Sequence, residues 1–396
     1  MIEYDQLLAP RTARMRASII REVLKVAQQP GVISLAGGIP PPESFPLQLM
    51  GDLSQLVIRK YGAQAFQYDL TEGFIPLREQ LAVFLGRKGI QATMDSVRIT
   101  SGSQSVLDLI GKILLAPGDK VAVEAPTYLG AIQSFNPYEA DYVELATDAD
   151  GLIPQSLDDV LGRHRIKLVY LVPTFQNPTG RTLSLVRRQQ VAEIIQRRGA
   201  LLVEDEPYSE LRYRGESLPP IASFAPDNVV YAGTFSKIFS PGLRIGYYVA
   251  PAPIAQWMTI AKQGSDLHSS TFGQALAAEY LAGGHLQQVL PGVIQLYRGR
   301  QEALFAALQK YFPSAYQWNR PEGGMFVWIE GPQGLDSEKL YWHALEQCKV
   351  AFLPGKFFYT AAGAGANTMR LNFTMSDEAT LDRAVRALAG ALPTVI

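Results

Sequence analysis

Between residues 95 and 250 the chain alternates short, nearly unbroken apolar runs with stretches of helical periodicity. VRIT (97–100) is followed by KVAVEAP (120–126), KLVYLVP (167–173), ALLVEDEP (200–207), NVVYAGTF (228–235) and RIGYYVA (244–250). Strands this apolar have no face to offer water, so they must be covered on both sides. That condition is met by a mostly parallel sheet sandwiched between helices. The intervening stretches agree: Val106, Leu109, Ile110, Ile113 and Leu114 share one helical face, and Pro117-Gly118 ends it. Beyond about residue 285 the pattern changes. A long helical stretch from Gln287 to Lys310 leads to GMFVWIE (324–330), VAFLPG (350–355) and MRLNFTM (369–375), short strands of a smaller α+β domain.

A chain of 396 residues exceeds what one hydrophobic core supports, roughly 250–300 residues. The expected partition is an N-terminal helix and arm over residues 1–47 that joins the small domain, a large domain over 48–285, and a C-terminal small domain over 286–396. In the first segment Ile20, Val23, Leu24 and Ala27 recur at helical spacing behind the N-cap candidate Ser18, and Pro30-Gly31 stops the run. The loop from Ala36 to Pro42, rich in Gly and Pro, reads as a hinge into the main body.

Charge and cysteine content narrow the function. The 36 basic and 37 acidic side chains leave a formal charge of -1, which gives no overall field for nucleic acid or an anionic membrane. Cys348 is alone, as suits a reducing, cytoplasmic setting. His164, His268, His285 and His343 are scattered without metal-ligand spacing, so no metal site is expected. No apolar run is long enough for a signal peptide or a membrane span.

Ligands of open α/β sheets sit beyond the carboxyl ends of the strands, so the residues that follow each run matter most. VRIT is followed by Ser101-Gly102-Ser103-Gln104 at the start of a helix, an anion cradle or an ordinary helix cap. KVAVEAP leads to Thr127-Tyr128, and KLVYLVP to the turn Gln176-Asn177-Pro178-Thr179-Gly180. ALLV ends in Glu204-Asp205-Glu206-Pro207-Tyr208, and VVYAG in Thr234-Phe235-Ser236-Lys237, with Arg244 soon after. Singly, each has an ordinary structural reading. Together, a lone lysine, a buried carboxylate, a tyrosine, an arginine and an anion cradle on adjacent strand ends form the set that pyridoxal phosphate chemistry needs.

These motifs resemble those of the fold-type I, class I/II aminotransferases, most closely the branch of 2-aminoadipate and kynurenine/aromatic aminotransferases. The resemblance runs from SLAGGIPPPESFP (34–46) through QNPTG (176–180), EDEPY (204–208) and TFSKIFSPGLRIGY (234–247) to PEGGMFVW (321–328) and the MRLNF segment. It implies a homodimer that passes an amino group from an α-amino acid to a 2-oxo acid such as 2-oxoglutarate. It also implies residue roles. Lys237 would bond covalently to the cofactor and Asp205 would face its pyridine nitrogen. Tyr208 and Asn177 would bind its phenolic oxygen, and Tyr128 would stack on its ring. Ser103, Gln104, Thr234, Ser236 and Arg244 would surround the phosphate, with Tyr68 reaching in from a second subunit. Arg370 would clamp the substrate α-carboxylate, a bidentate task suited to a guanidinium, with Gly38 close by. Arg21, within ASIIRE (17–22), would meet an acidic substrate side chain. Two departures stand out: Glu206 occupies a position where many relatives carry a second aspartate, and residues 136–151 match no motif. Other pyridoxal phosphate reactions, namely β-elimination, decarboxylation or carbon–carbon bond formation, share this residue set. A sensing domain of the kind fused to DNA-binding helices is a further alternative, although little chain precedes the first helix to hold a winged helix.

Overall fold

The computed structural model describes residues 2–15, 23, 25 and 29–392. The expected helix from Ser18 to Gln29, and Arg21 with it, lies almost wholly outside the described residues. Seven strands form the central sheet: β1 (Val97–Thr100), β2 (Lys120–Glu124), β3 (Asp141–Leu145), β4 (Ile166–Leu171), β5 (Leu202–Asp205), β6 (Val229–Thr234) and β7 (Gly246–Val249). Their spatial order is β1-β7-β6-β5-β4-β2-β3. From β3 to β6 all neighbours are parallel, whereas β7 runs antiparallel to both β6 and β1.

The strand runs alternate between two cores, which is why they are apolar at every position. Leu168, Tyr170 and Val172 point into one core and Val169 and Leu171 into the other, all with at most 2% of their surface exposed. Helix α1 (Ser103–Leu114) starts immediately beyond the β1 turn, and α2 (Leu185–Arg198) crosses from β4 to β5. The expected helix from Gln287 to Lys310 is α3 (His285–Tyr311), which packs on α4 (Glu378–Ala391). Among the described residues no helix is long and apolar enough to cross a membrane.

The C-terminal lobe carries an antiparallel sheet, β8 (Gln317–Trp318), β9 (Phe326–Glu330), β10 (Leu353–Pro354) and β11 (Thr368–Asn372), in the order β8-β9-β11-β10. The run VAFLPG is divided, because Val350–Ala351 pairs in parallel with Ile33–Ser34 before β10 joins β11. The N-terminal segment is thereby fastened to this lobe: Leu35 donates to Ala351 O (2.7 Å), and Asn372 donates to Leu35 O (2.7 Å).

The stretch 136–151 contains the edge strand β3, which sequence reading left without an assignment. Its residues, DYVEL, are largely half-exposed and include two carboxylates, so the strand lacks the apolar run by which its neighbours are recognised. Arg244, expected to open the strand RIGYYVA, instead sits in a left-handed turn (φ 54°) two residues before β7 begins.

Arg188 on α2 fastens the ends of β4 and β5. It is fully buried, donates to Pro173 O (3.0 Å) and Thr174 Oγ1 (2.8 Å), and pairs with Glu206 Oε1 at 3.4 Å. Thr174 Oγ1 in turn donates to Glu206 Oε1 (2.6 Å), so the loops after the two strands share one buried ion pair. Replacing Arg188 by Met leaves the Glu206 carboxylate buried without its cation. The expected loss is about 3–5 kcal/mol of unfolding free energy, read from urea denaturation of the apoprotein. Wild-type stability in this variant would show that the pair does not fasten the loops.

Candidate active site

The carboxyl ends of β4, β5 and β6 open into a cavity of about 370 Å³, closed on the far side by Gly38, Phe326 and Arg370. Of the residues singled out in the sequence, this cavity gathers Gly38, Ser103, Gln104, Tyr128, Asn177, Asp205, Tyr208, Thr234, Ser236, Lys237, Arg244 and Arg370. Tyr68 is not among them. It lies on the surface, 77% exposed, with its ring edge-on to His268.

Lys237 follows β6 by three residues, and its Nζ donates to Gly38 O at 2.8 Å. Burial, reinforced by Arg244 and Arg370, lowers its pKa to about 8. A fraction of the amine is therefore neutral near neutral pH, as a nucleophile or base requires. Gly38 must be glycine here, since a Cβ would lie 2.4 Å from the Phe326 ring.

Asp205 terminates β5 with 2% of its surface exposed, and burial pushes its carboxyl up to about 7. Its Oδ2 accepts from Tyr170 Oη (2.9 Å), while Oδ1 is buried without a hydrogen-bond partner. Tyr170 was not singled out in the sequence. The available signal was a phenol inside the aliphatic run KLVYLVP, since a hydroxyl buried at that depth needs a partner.

Arg370 on β11 is 1% exposed and reaches across both lobes. It donates to Asn177 Oδ1 through Nη1 and to Ala36 O through Nη2, each at 2.6 Å. Its guanidinium lies 4.0 Å from the Phe326 ring centroid, and burial lowers its pKa to about 10. Nε has no partner, and no carboxylate pairs with Arg370 among the described residues. Asn177 Nδ2 donates to Tyr208 Oη at 3.3 Å, which links this arginine to the β5 loop. Tyr128, whose hydroxyl is raised to about 12 by burial, stays protonated at the cavity wall.

The opposite end of the cavity is the start of α1. Gly102, not Ser103, is its N-cap, with φ 84°. A Cβ at Gly102 would lie 2.3 Å from Arg244 Nη2, so the absence of a side chain brings that arginine against the helix start. Gln104 spends its side-chain amide on Gly130 O (2.7 Å) and Ser134 Oγ (2.6 Å), which leaves its backbone N–H for any ligand. Thr234 Oγ1 and Ser236 Oγ are 2.9 Å apart, and Arg244 is held by Ser101 O and Pro241 O at 3.3 and 3.4 Å.

This arrangement fits pyridoxal phosphate. The unpartnered Asp205 Oδ1 suits a protonated ring nitrogen. The helix start, two hydroxyls and Arg244 suit a phosphate, and Arg370 Nε remains for a carboxylate. The sequence model of the family "Aminotransferase class I and II" matches residues 53–388. The aromatic-amino-acid aminotransferase 1 of Thermococcus litoralis is 41% identical over 395 residues, covering 98% of this chain and 94% of that protein. The structure of Pyrococcus horikoshii kynurenine aminotransferase, in complex with PMP, matches with a TM-score of 0.95 at 42% identity over 99% of this chain and 98% of that one. LysN, the α-aminoadipate aminotransferase of Thermus thermophilus complexed with N-(5'-phosphopyridoxyl)-L-leucine, matches with a TM-score of 0.92 at 38% identity over 99% of each chain. The chain thus belongs to the class I and II aminotransferase family and is a pyridoxal phosphate-dependent transaminase of fold type I.

Proposed function

We propose that this transaminase takes its amino group from 2-aminoadipate, glutamate, leucine or an aromatic amino acid and delivers it to 2-oxoglutarate, as a cytoplasmic homodimer. The observation that carries the reading is Arg370, a buried guanidinium whose hydrogen-bond partners among the described residues are neutral oxygens and whose Nε is unpaired there, in the same cavity as Lys237. An α-carboxylate would complete it. When bound, pyridoxal phosphate supplies a reactive aldehyde and a ring that draws electron density from the substrate Cα. Lys237 Nζ would hold the cofactor, and as a neutral amine it would accept the proton from the substrate Cα. Asp205 Oδ1 holds a proton on the ring nitrogen. Tyr208 Oη and Asn177 orient the phenolic oxygen, and Tyr128 covers the ring and excludes water. Ser103 and Gln104 through their N–H groups, with Thr234, Ser236 and Arg244, hold the phosphate. The division of the chain at residues 47 and 285 into arm, large domain and small domain belongs to the same reading. It puts Lys237 and Arg370 on different domains.

The lowered pKa of Lys237 sets a pH dependence. The apoprotein should take up pyridoxal phosphate covalently at a rate that rises with pH through about 8 and then levels, because the neutral amine is the reactive form. An unperturbed lysine would keep rising to about 10.4. Stopped-flow absorbance checks this, and Lys237→Ala should bind without covalent capture and show no turnover.

Homodimerisation is supported by Tyr68, exposed together with Phe66, Leu70 and Leu47 although the resemblance gives it a cofactor role. If it serves the neighbouring subunit, mixing inactive Tyr68→Ala dimers with inactive Lys237→Ala dimers should restore activity. Hybrid dimers then carry one site with both residues intact. No recovery after subunit exchange, verified by mass spectrometry, would place Tyr68 outside the site.

Donor choice is tested with a panel of amino acids and 2-oxoglutarate, with product 2-oxo acids quantified for each donor. Wild-type protein should use both 2-aminoadipate and leucine. Arg21→Ala should raise KM for 2-aminoadipate about 10–100-fold, the equivalent of one charged hydrogen bond, and leave leucine nearly unchanged. Equal losses on both would make Arg21 a structural residue.

A further inference from the structure

We propose that Tyr170 is a positioning residue for transamination: its hydroxyl fixes the Asp205 carboxylate through Oδ2 and supports its negative charge, so that Oδ1 is left to hold the proton on the cofactor's ring nitrogen. The inference rests on the role of Asp205 given above. Its geometry follows from the sheet. β4 and β5 are parallel with Tyr170 opposite Val203, so Asp205, two residues further along, lies on the same face. A tyrosine is long enough to span that diagonal, and Oη meets Oδ2 at 2.9 Å. The ring is fixed by burial and by Phe135 packed edge-on, with centroids 6.2 Å apart.

The bond has one direction. Burial and the nearby Asp205 charge hold the Tyr170 phenol well above its ordinary pKa, so it stays protonated and donates. Asp205 needs that donor. Burial raises its carboxyl, Glu206 on the same loop adds repulsion, and the Tyr170 hydrogen bond acts against both. The other titratable groups that feel Asp205 are the phenols of Tyr128, at the wall beyond β2, and Tyr208, on its own loop. Lys237, Arg244 and Arg370 share the cavity, but none forms an ion pair with Asp205 among the described residues. Removing the Tyr170 hydroxyl therefore raises the Asp205 pKa further, and the carboxylate is lost over a wider acidic range.

The test is Tyr170→Phe, which keeps the ring and its packing. The dissociation constant for pyridoxal phosphate, from absorbance titration of the apoprotein, should weaken about tenfold. The acid limb of kcat/KM should move up by about one pH unit, as expected for one lost hydrogen bond to a charge. Both effects should vanish when Tyr170→Phe and wild type are compared with N-methylpyridoxal phosphate, whose ring nitrogen carries a permanent charge and no proton. In an Asp205→Asn background the same substitution should also be nearly silent. Equal losses with both cofactors would make Tyr170 a packing residue and overturn the inference, as would an unchanged dissociation constant and pH profile. Asp205→Asn alone separates the two readings. If it retains wild-type turnover, the role of Asp205 fails. If it is inactive while Tyr170→Phe behaves as wild type, only the role of Tyr170 fails.

Discussion

The cavity at the strand ends holds more positive charge than its own side chains neutralise. Arg370 is buried against two neutral oxygens, Lys237 faces a backbone carbonyl, and Arg244 leans on a helix start. Against these stands, among the described residues, one carboxylate, Asp205, which already spends an oxygen on a phenol. Cations out of water are tolerated when they are paired, and here the pairing is left to what binds. A phosphate at the α1 end and a carboxylate at Arg370 would balance the charge at both ends. Burial, which lowers the pKa of Arg370 and is the largest cause of the lowered pKa of Lys237, also strengthens the attraction of both cations for an anion.

Such an imbalance requires a rigid frame. Packing on both faces of the sheet prevents the strand ends from shifting apart to relieve the charge. The loops that follow are tied individually. Arg188 and Glu206 bind the β4 and β5 loops together, and the Arg370 guanidinium binds the N-terminal segment to the Asn177 turn. Arg370, the residue proposed to meet the substrate carboxylate, is thus one of the side chains that join the C-terminal lobe to the loop after β4. Groups held this way need little rearrangement when charge develops during the reaction.

The readable parts of the molecule were those governed by local pattern. Six of the strands in the central sheet are legible because burial on both faces demands unbroken apolar runs. Most site residues are legible because they follow those strands directly. β3 was missed because an edge strand needs no such run, and the split of VAFLPG between two partners leaves no local trace. At α1, Gly102 makes the cap within the stretch Ser101-Gly102-Ser103-Gln104, since the close approach of Arg244 forbids a side chain there.

By itself the sequence determined the α/β class, the order of the strand-end motifs and the chemistry that a lone lysine, an aspartate and an arginine on adjacent ends can support. These follow from periodicity and residue type, which are properties of the chain in one dimension. Only the tertiary structure decided which oxygen of Asp205 is free, which groups of Gln104 and Arg370 are already committed, and that a tyrosine two residues out of register stands behind the carboxylate. Those outcomes depend on distances between strands and lobes far apart in sequence. A hydrogen bond is decided at the scale of tenths of an ångström, which the spacing of residues along a chain does not encode.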